Sequence, residues 1–147
     1  MKSISLFLGV CLLFTMSSFG QDFKKLSDSE TDKNKIKIAQ KFASDFLGKL
    51  KSGETYVFQN EAIDPVKNQL TGETQKLLYQ QLKTQFGDFK SLEYAETWVQ
   101  GNSKAISIFR FKGDFDKSNK KLEIRVVLNE SDKIAGFFIK PWSDMLN

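Results

Sequence analysis

The last third of the chain contains three runs in which apolar residues recur with the period of a β-strand. From Leu122 to Leu128 every second residue is apolar, which is the pattern of a half-buried strand. Similar runs cover residues 105–111 and 134–139, and the polar residues 129–133 between the last two runs favour a tight turn. The pattern therefore predicts consecutive antiparallel hairpins.

A fourth strand is predicted directly before these three. Within residues 91–100, Leu92, Tyr94 and Trp98 share a period-two face, and the Gly-Asn-Ser sequence at 101–103 is typical of a hairpin turn. The four runs together predict a four-stranded antiparallel sheet.

Helical periodicity dominates the part of the chain that precedes the sheet. Apolar residues from Ile36 to Leu50 recur at spacings of three and four, which predicts an amphipathic helix that ends at Gly53. Residues 54–59 are predicted to form one or two further helical turns, before a loop at Asp64-Pro65.

A third helix is predicted between Thr71 and Gly87. The Thr71 hydroxyl can accept hydrogen bonds from the free backbone N–H groups of a first helical turn, and glycine commonly follows a helix end. Helices that come first and strands that come last predict an α+β domain, with the N-terminal helices packed on one face of the antiparallel sheet.

The first 20 residues have the pattern of a secretory signal peptide. Lys2 precedes an apolar run over residues 4–16, and small residues stand at positions 18 and 20. Because the run is shorter than the roughly 18 apolar residues of a membrane-spanning helix, cleavage after Gly20 is favoured over a retained anchor. We expect residues 21–32 to be a flexible leader and residues 33–147 to be a single domain.

Composition narrows the chemistry that the domain can perform. The 147 residues carry a formal net charge of +4 with interspersed signs, which gives no support to nucleic-acid binding. The single cysteine, Cys11, lies inside the apolar run, and lipid attachment there is disfavoured because residues 8–10 lack the small residue needed directly before it. After cleavage the chain has neither cysteine nor histidine, so we predict no disulfide, metal or cofactor.

One loop begins like a calcium site and then departs from that pattern. Oxygen-bearing side chains alternate from Asp114 to Ser118, but Asn119 stands where glycine is required and Arg125 where glutamate is required. A hairpin loop is the preferred interpretation.

The order helix, short helix, helix and four-stranded meander resembles the cystatin-like half-cone of the nuclear transport factor two-like superfamily. Within it, the chain is similar to a small bacterial domain of unknown function, found alone in secreted proteins or before an α/β-hydrolase domain. The resemblance spans about residues 35–142 and is carried by residues 46–56, Leu78, Leu82 and residues 86–91, 122–128 and 133–141. It implies a fold without implying catalytic residues. Enzymes of the superfamily often use an Asp with a His or Tyr, and this chain has no His.

A half-cone can open a pocket between its helices and its sheet. The residues that could line such a pocket are Tyr56, Tyr94, Trp98, Phe109, Phe111, Phe137 and Trp142, with Arg110 or Arg125 to bind an acidic ligand group. Ordinary core packing explains the aromatic residues equally well. Cross-strand pairing with Glu123 or Glu96 is the preferred alternative for the two arginines.

The outer face of the sheet offers a second candidate site. If Ile106, Ile108 and Val127 share that face, they form an apolar patch that helices do not cover. A self-complementary patch of this kind favours a two-fold homodimer.

Three hypotheses about function follow. The first is a non-enzymatic module, exported to the periplasm or outside the cell, that binds a small apolar or acidic ligand or a protein partner and meets a membrane only during export. It would act alone or with a separate partner. The second is an enzyme that uses carboxylate or tyrosine acid–base chemistry in the cone. The third is an interaction domain with a filled cone.

Overall fold

The computed structural model describes residues 22–101 and 105–146. The elements follow the order β1 (Phe23–Lys25), α1 (Lys33–Lys51), α2 (Asp64–Gln69), α3 (Gly72–Phe86), β2 (Phe89–Gln100), β3 (Ile106–Phe115), β4 (Leu122–Asn129) and β5 (Ile134–Pro141). The α+β class predicted from the sequence is confirmed. The predicted signal peptide and most of the predicted turn at 101–103 lie outside the described residues.

The sheet has five antiparallel strands, in the order β1-β2-β3-β4-β5. The prediction of four strands is wrong, because residues 23–25 of the expected leader pair with residues 98–100 of β2. Three residues are too short a run to show strand periodicity in a sequence. The ion pair between Lys25 and Glu96, at 2.5 Å, also holds β1 to its neighbour.

Helix α1 begins where its sequence supplies a cap and buries one face. The Asp32 carboxylate accepts hydrogen bonds from the backbone N–H groups of Asn34 and Lys35, at 2.8 and 3.3 Å. The buried face of the helix consists of Ala39, Phe42, Ala43, Phe46, Leu47 and Leu50. The predicted amphipathic helix is confirmed.

The predicted short helix over residues 54–59 is wrong. This segment forms neither helix nor strand, and its alternate residues Tyr56 and Phe58 pack onto Phe42, with ring centroids 5.6 and 6.0 Å away. The Gln75 side chain also accepts a hydrogen bond from the Tyr56 N–H and donates one to the Tyr56 carbonyl. The short helix is instead α2, in which Pro65 occupies the first turn, where its missing N–H costs nothing.

Helix α3 begins and ends where the sequence predicts. The Thr71 hydroxyl accepts a hydrogen bond from the Thr74 N–H at 3.3 Å. Gly87 ends the helix with φ of 85°, and a Cβ atom there would stand 1.9 Å from Oδ1 of Asp116. Only glycine fits this corner between helix and sheet.

A β-bulge in β2 changes which residues face the helices. The register with β3 shifts between Tyr94 and Glu96. As a result Tyr94 packs against the main core, while Trp98 packs against the cluster on the opposite face of the sheet. The predicted common face of Tyr94 and Trp98 is therefore wrong.

Candidate functional site

The predicted pocket residues divide between the two faces of the sheet. Tyr56, Tyr94, Phe109, Phe111 and Phe137 belong to the core between the sheet and the helices. The others lie on the outer face, which we define as the sheet face that carries Trp98, Ile108, Arg110, Arg125 and Val127. The structure therefore does not bring the predicted set together in one pocket.

Aromatic rings fill the space between the helices and the sheet. The Phe137 ring lies 5.0 Å from the Phe46 ring and 5.5 Å from the Phe42 ring, measured between centroids. Phe109 and Phe111 are almost completely buried in the same core. These residues behave as core, which is the alternative that the sequence left open.

A cleft opens beside α1 instead. Its volume is about 480 Å³, and it lies between α1 and residues 55–61, with Ile134 of β5 behind. The lining residues are Ile38, Lys41, Phe42, Asp45, Lys49, Thr55, Tyr56, Val57, Gln59, Glu61 and Ile134. Of the residues predicted to line a pocket, Tyr56 is the one that this cleft contains. The sequence prediction missed the cleft because it made residues 54–59 helical.

The polar end of the cleft is a Tyr–Glu pair. The Tyr56 hydroxyl donates to Oε1 of Glu61 at 2.7 Å, and the Gln59 N–H donates to Oε2 at 2.7 Å. Burial, and then the hydrogen bond to Glu61, raise the pKa of Tyr56 well above its ordinary value. Burial raises the pKa of Glu61, but the hydrogen bonds from Tyr56 and the backbone outweigh it and hold that pKa below its ordinary value. At neutral pH this pair stays a phenol and a carboxylate.

The rim of the cleft combines exposed apolar side chains with solvent-exposed ion pairs. Val57 is 69% exposed and Ile38 is 38% exposed. Lys41 pairs with Asp45, and Lys49 pairs with Glu54 at 2.5 Å. Exposed pairs of this kind contribute roughly 0–1 kcal/mol, so a ligand can replace them at little cost.

The outer face of the sheet is organised around Arg110, whose side chain is fully buried. Its Nε and one terminal nitrogen donate to the two carboxylate oxygens of Glu123, at 2.8 and 3.0 Å, and its other terminal nitrogen donates to Glu96. Arg125 Nε donates to Glu123 at 2.7 Å. The cross-strand pairing is confirmed for Arg110, whereas Arg125 bonds to Glu123 within its own strand, β4.

The residues after β5 cover this network. The Trp142 ring centroid lies 4.3 Å from the Arg110 guanidinium carbon, and Arg110 donates to the carbonyl oxygens of Ser143 and Met145. Arg110 is therefore committed to contacts within the chain, and it does not line an open pocket.

The neighbouring charges on the outer face shift the pKa values of Glu123 and Lys140. Burial raises the pKa of Glu123, but the hydrogen bonds from Arg110 and Arg125 outweigh it and leave that pKa below its ordinary value. Burial and the positive charge of Arg125 lower the pKa of Lys140, although Glu123 opposes them. The network therefore surrounds two carboxylates, Glu96 and Glu123, with positively charged groups.

The residues predicted to form a dimer face share one apolar cluster. Ile108 and Val127 are 4% and 8% exposed, and Ile106 packs beside them. Part of the cover comes from Leu146, which belongs to the segment that follows β5. Each chain thus buries most of this patch within itself.

The acidic loop after β3 is occupied by internal contacts. Asp114 pairs with Lys121 at 2.9 Å, and Asp116 accepts a hydrogen bond from the Asp88 N–H at 2.8 Å. Within residues 22–101 and 105–146, three or more His, Cys, Asp or Glu residues do not come together as a metal site. Among the same residues, every helix is too short or too polar to cross a membrane.

The fold and the cleft define an α+β domain with an open, partly apolar groove and internally paired ionisable groups. The family model described as "Protein of unknown function (DUF3887)" matches residues 43–137. The chain belongs to this family. The matched region runs from the middle of α1 into β5, so it contains most of the core and most of the cleft. No curated protein and no solved structure matches the chain.

Proposed function

We propose that this protein is an exported, non-catalytic binding module that holds a small, partly apolar ligand in the cleft beside α1. The observation that carries the proposal is the cleft itself. It has a volume of about 480 Å³ and exposes Val57 and Ile38 beside hydrogen-bonding groups of Thr55 and Gln59. Ligand pockets typically have about 300–1,000 Å³ and combine an apolar lining with a few polar groups.

The ionisable groups of the cleft favour binding over catalysis. A general acid or base works best when its pKa lies near the operating pH. The pKa of Tyr56 is raised by burial and by its bond to Glu61, and the pKa of Glu61 is lowered because its hydrogen bonds outweigh its burial. Both shifts move the groups away from neutrality, and each group already binds the other.

Export is supported by the sequence of the first 20 residues and by the absence of cysteine from residues 21–147. A domain without thiols is compatible with an oxidising compartment, because it cannot form mispaired disulfides. The proposed location is the periplasm or the extracellular space.

Native mass spectrometry of residues 21–147, purified gently from the natural host, tests the proposal. We expect a polypeptide mass plus a retained small molecule, and the same spectrum reports whether a dimer forms. The Ile38→Ala/Val57→Ala double variant removes the exposed apolar rim and should lose the added mass. Leu77→Ala, which truncates another exposed apolar residue outside the cleft, is the matched control and should keep it.

A bare polypeptide mass for the unmodified protein would contradict the proposal and favour an interaction domain with a filled core. Retention of the added mass by the double variant would place the ligand elsewhere on the molecule.

A further inference from the structure

Helix α1 carries the excess positive charge of the chain. Its 19 residues contain six lysines and one acidic residue, Asp45. The whole chain has a formal net charge of +4, so the residues outside the helix are close to neutral. Two of these lysines, Lys41 and Lys49, also line the cleft described above.

Four of the lysines stand in one line along the helix. Positions 33, 37, 41, 44, 48 and 51 follow each other at spacings of three and four, so they share one face. That face is opposite the buried face formed by Ala39, Phe42 and Phe46. We call the exposed residues Lys33, Lys37, Lys41 and Lys51 the lysine ridge.

Only the N-terminal part of the lysine ridge is unfavourable for the helix itself. Lys33 stands at the positive end of the helix dipole, where the Asp32 carboxylate caps the helix, whereas Lys51 lies in the last turn, where positive charge is favourable. Lys33 and Lys37 are also like charges at an i,i+4 spacing. Within the described part of the chain, Lys41 pairs with Asp45, and Lys51 lies close enough to Asp88 to help lower the pKa of that carboxyl, whereas Lys33 and Lys37 form no ion pair. The repulsion between Lys33 and Lys37 is therefore kept without a local gain, which indicates a role beyond stability.

The choice of lysine indicates what the ridge contacts. Protein–protein interfaces are depleted in lysine and enriched in arginine, whose planar group makes two-pronged bonds. A flexible, strongly hydrated lysine suits diffuse attraction to an anionic headgroup layer. Both arginines of this chain, Arg110 and Arg125, lie on the other side of the molecule, on the outer face of the sheet.

We propose that the lysine ridge docks the protein on the surface of a bilayer rich in anionic phospholipid. Each lysine near such a surface contributes roughly a fivefold gain in affinity at physiological ionic strength. The exposed side chains of Ile38 and Val57 flank the ridge on one side and add apolar surface next to the bilayer. In this orientation the outer face of the sheet points away from the membrane.

Co-sedimentation with lipid vesicles tests this inference, using residues 21–147, which include every described residue. The vesicles contain phosphatidylcholine alone or with about 30% phosphatidylglycerol, in about 0.1 M salt, where screening is moderate. We expect binding to the anionic vesicles and its release at about 1 M salt, where the Debye length is only about 3 Å.

Two variants with the same net charge locate the binding surface. Lys33→Gln/Lys37→Gln/Lys51→Gln should reduce the affinity for anionic vesicles by about 100-fold, because three near-surface charges are lost. Lys76→Gln/Lys117→Gln/Lys120→Gln removes three exposed lysines elsewhere and should reduce it less than about tenfold. Circular dichroism and urea unfolding verify that both variants fold.

Equal losses in the two variants would overturn the proposal, since binding would then depend on net charge alone. Failure of the unmodified protein to bind anionic vesicles would also overturn it. Soluble polyglutamate separates lipid from an acidic protein: ridge-dependent binding to polyglutamate without binding to vesicles would assign the surface to an acidic protein.

Discussion

The charged groups on the outer face of the sheet and those around the cleft differ in burial and in the number of their partners. On the outer face of the sheet, Arg110 and Glu123 are buried and make several hydrogen bonds each. Around the cleft, Lys41 and Lys49 form single ion pairs that remain exposed to solvent. Desolvated charges must stay paired or they destabilise the fold, whereas exposed charges can exchange partners freely. The first arrangement maintains structure, and the second leaves a surface available for binding.

Removing Arg110 should give the largest effect. Arg110→Met removes two of the hydrogen bonds to the buried Glu123 carboxylate, together with a cation that stacks on Trp142. We expect a loss of about 3–5 kcal/mol in the free energy of unfolding, measured by urea denaturation. Lys120→Met, an exposed lysine outside the network, is the control and should cost less than about 1 kcal/mol. A similar cost for both variants would show that the buried network contributes no special stability.

Acid should weaken the same network. The pKa of Glu123 is lowered from its ordinary value of 4.5, because its hydrogen bonds from Arg110 and Arg125 outweigh the opposing effect of burial. A group with a lowered pKa stabilises the fold above its unfolded-state pKa and loses that contribution as pH falls through its folded-state pKa. We expect the urea concentration at the midpoint of unfolding to decrease as the pH falls below about 4.5. In Glu123→Gln this fall should be smaller, although the variant is less stable at pH 7, and an unchanged pH profile would contradict the assignment.

The Tyr56–Glu61 pair at the end of the cleft should have an intermediate effect. Tyr56→Phe removes a hydrogen bond of 2.7 Å to a carboxylate that keeps its bond to the Gln59 N–H. We expect a loss of about 1–2 kcal/mol in the free energy of unfolding. Tyr79→Phe, which removes the equivalent bond to Asp88 outside the cleft, is the comparison for stability. Only the first variant should alter retention of the proposed ligand.

The exposed pair at the rim of the cleft should have the smallest effect. Lys49→Gln removes one exposed ion pair with Glu54, and we expect no measurable change in the urea midpoint at pH 7. If this variant were as unstable as Arg110→Met, the contrast between the two regions would be wrong.

The sequence predicts those parts of the fold that depend on local pattern. The alternation from Leu122 to Leu128, the helix from Ile36 to Leu50 and the helix end at Gly87 are all confirmed. These elements are predictable because residues that are close in sequence face the same core, so the spacing of apolar residues is sufficient to identify them. The pairing of Arg110 with Glu123 is confirmed for the same reason, since cross-strand neighbours follow from the register.

The candidate site was harder to predict because it depends on distant contacts. The bulge between Tyr94 and Glu96 shifts the strand by one residue, and it moves Trp98 to the other face without any change in the hydrophobic pattern. Residues 54–59 are not helical, because Phe42 and Gln75 hold Tyr56, and both partners are remote in sequence. The segment after β5 covers Arg110 through backbone carbonyl groups. Because every residue has a carbonyl group, the sequence of this segment does not indicate the contact.

The strand order has a consequence for the kinetics of folding. Each of the strands β2 to β4 pairs with the next strand along the chain, so three consecutive hairpins can close short loops at low entropic cost. Strand β1 must wait for its partner β2, which follows three intervening helices. We expect pulse-labelling hydrogen exchange to show early protection in β3 and β4 and late protection in β1. Strands β2 to β5 would then form the sheet before β1 is added at its edge.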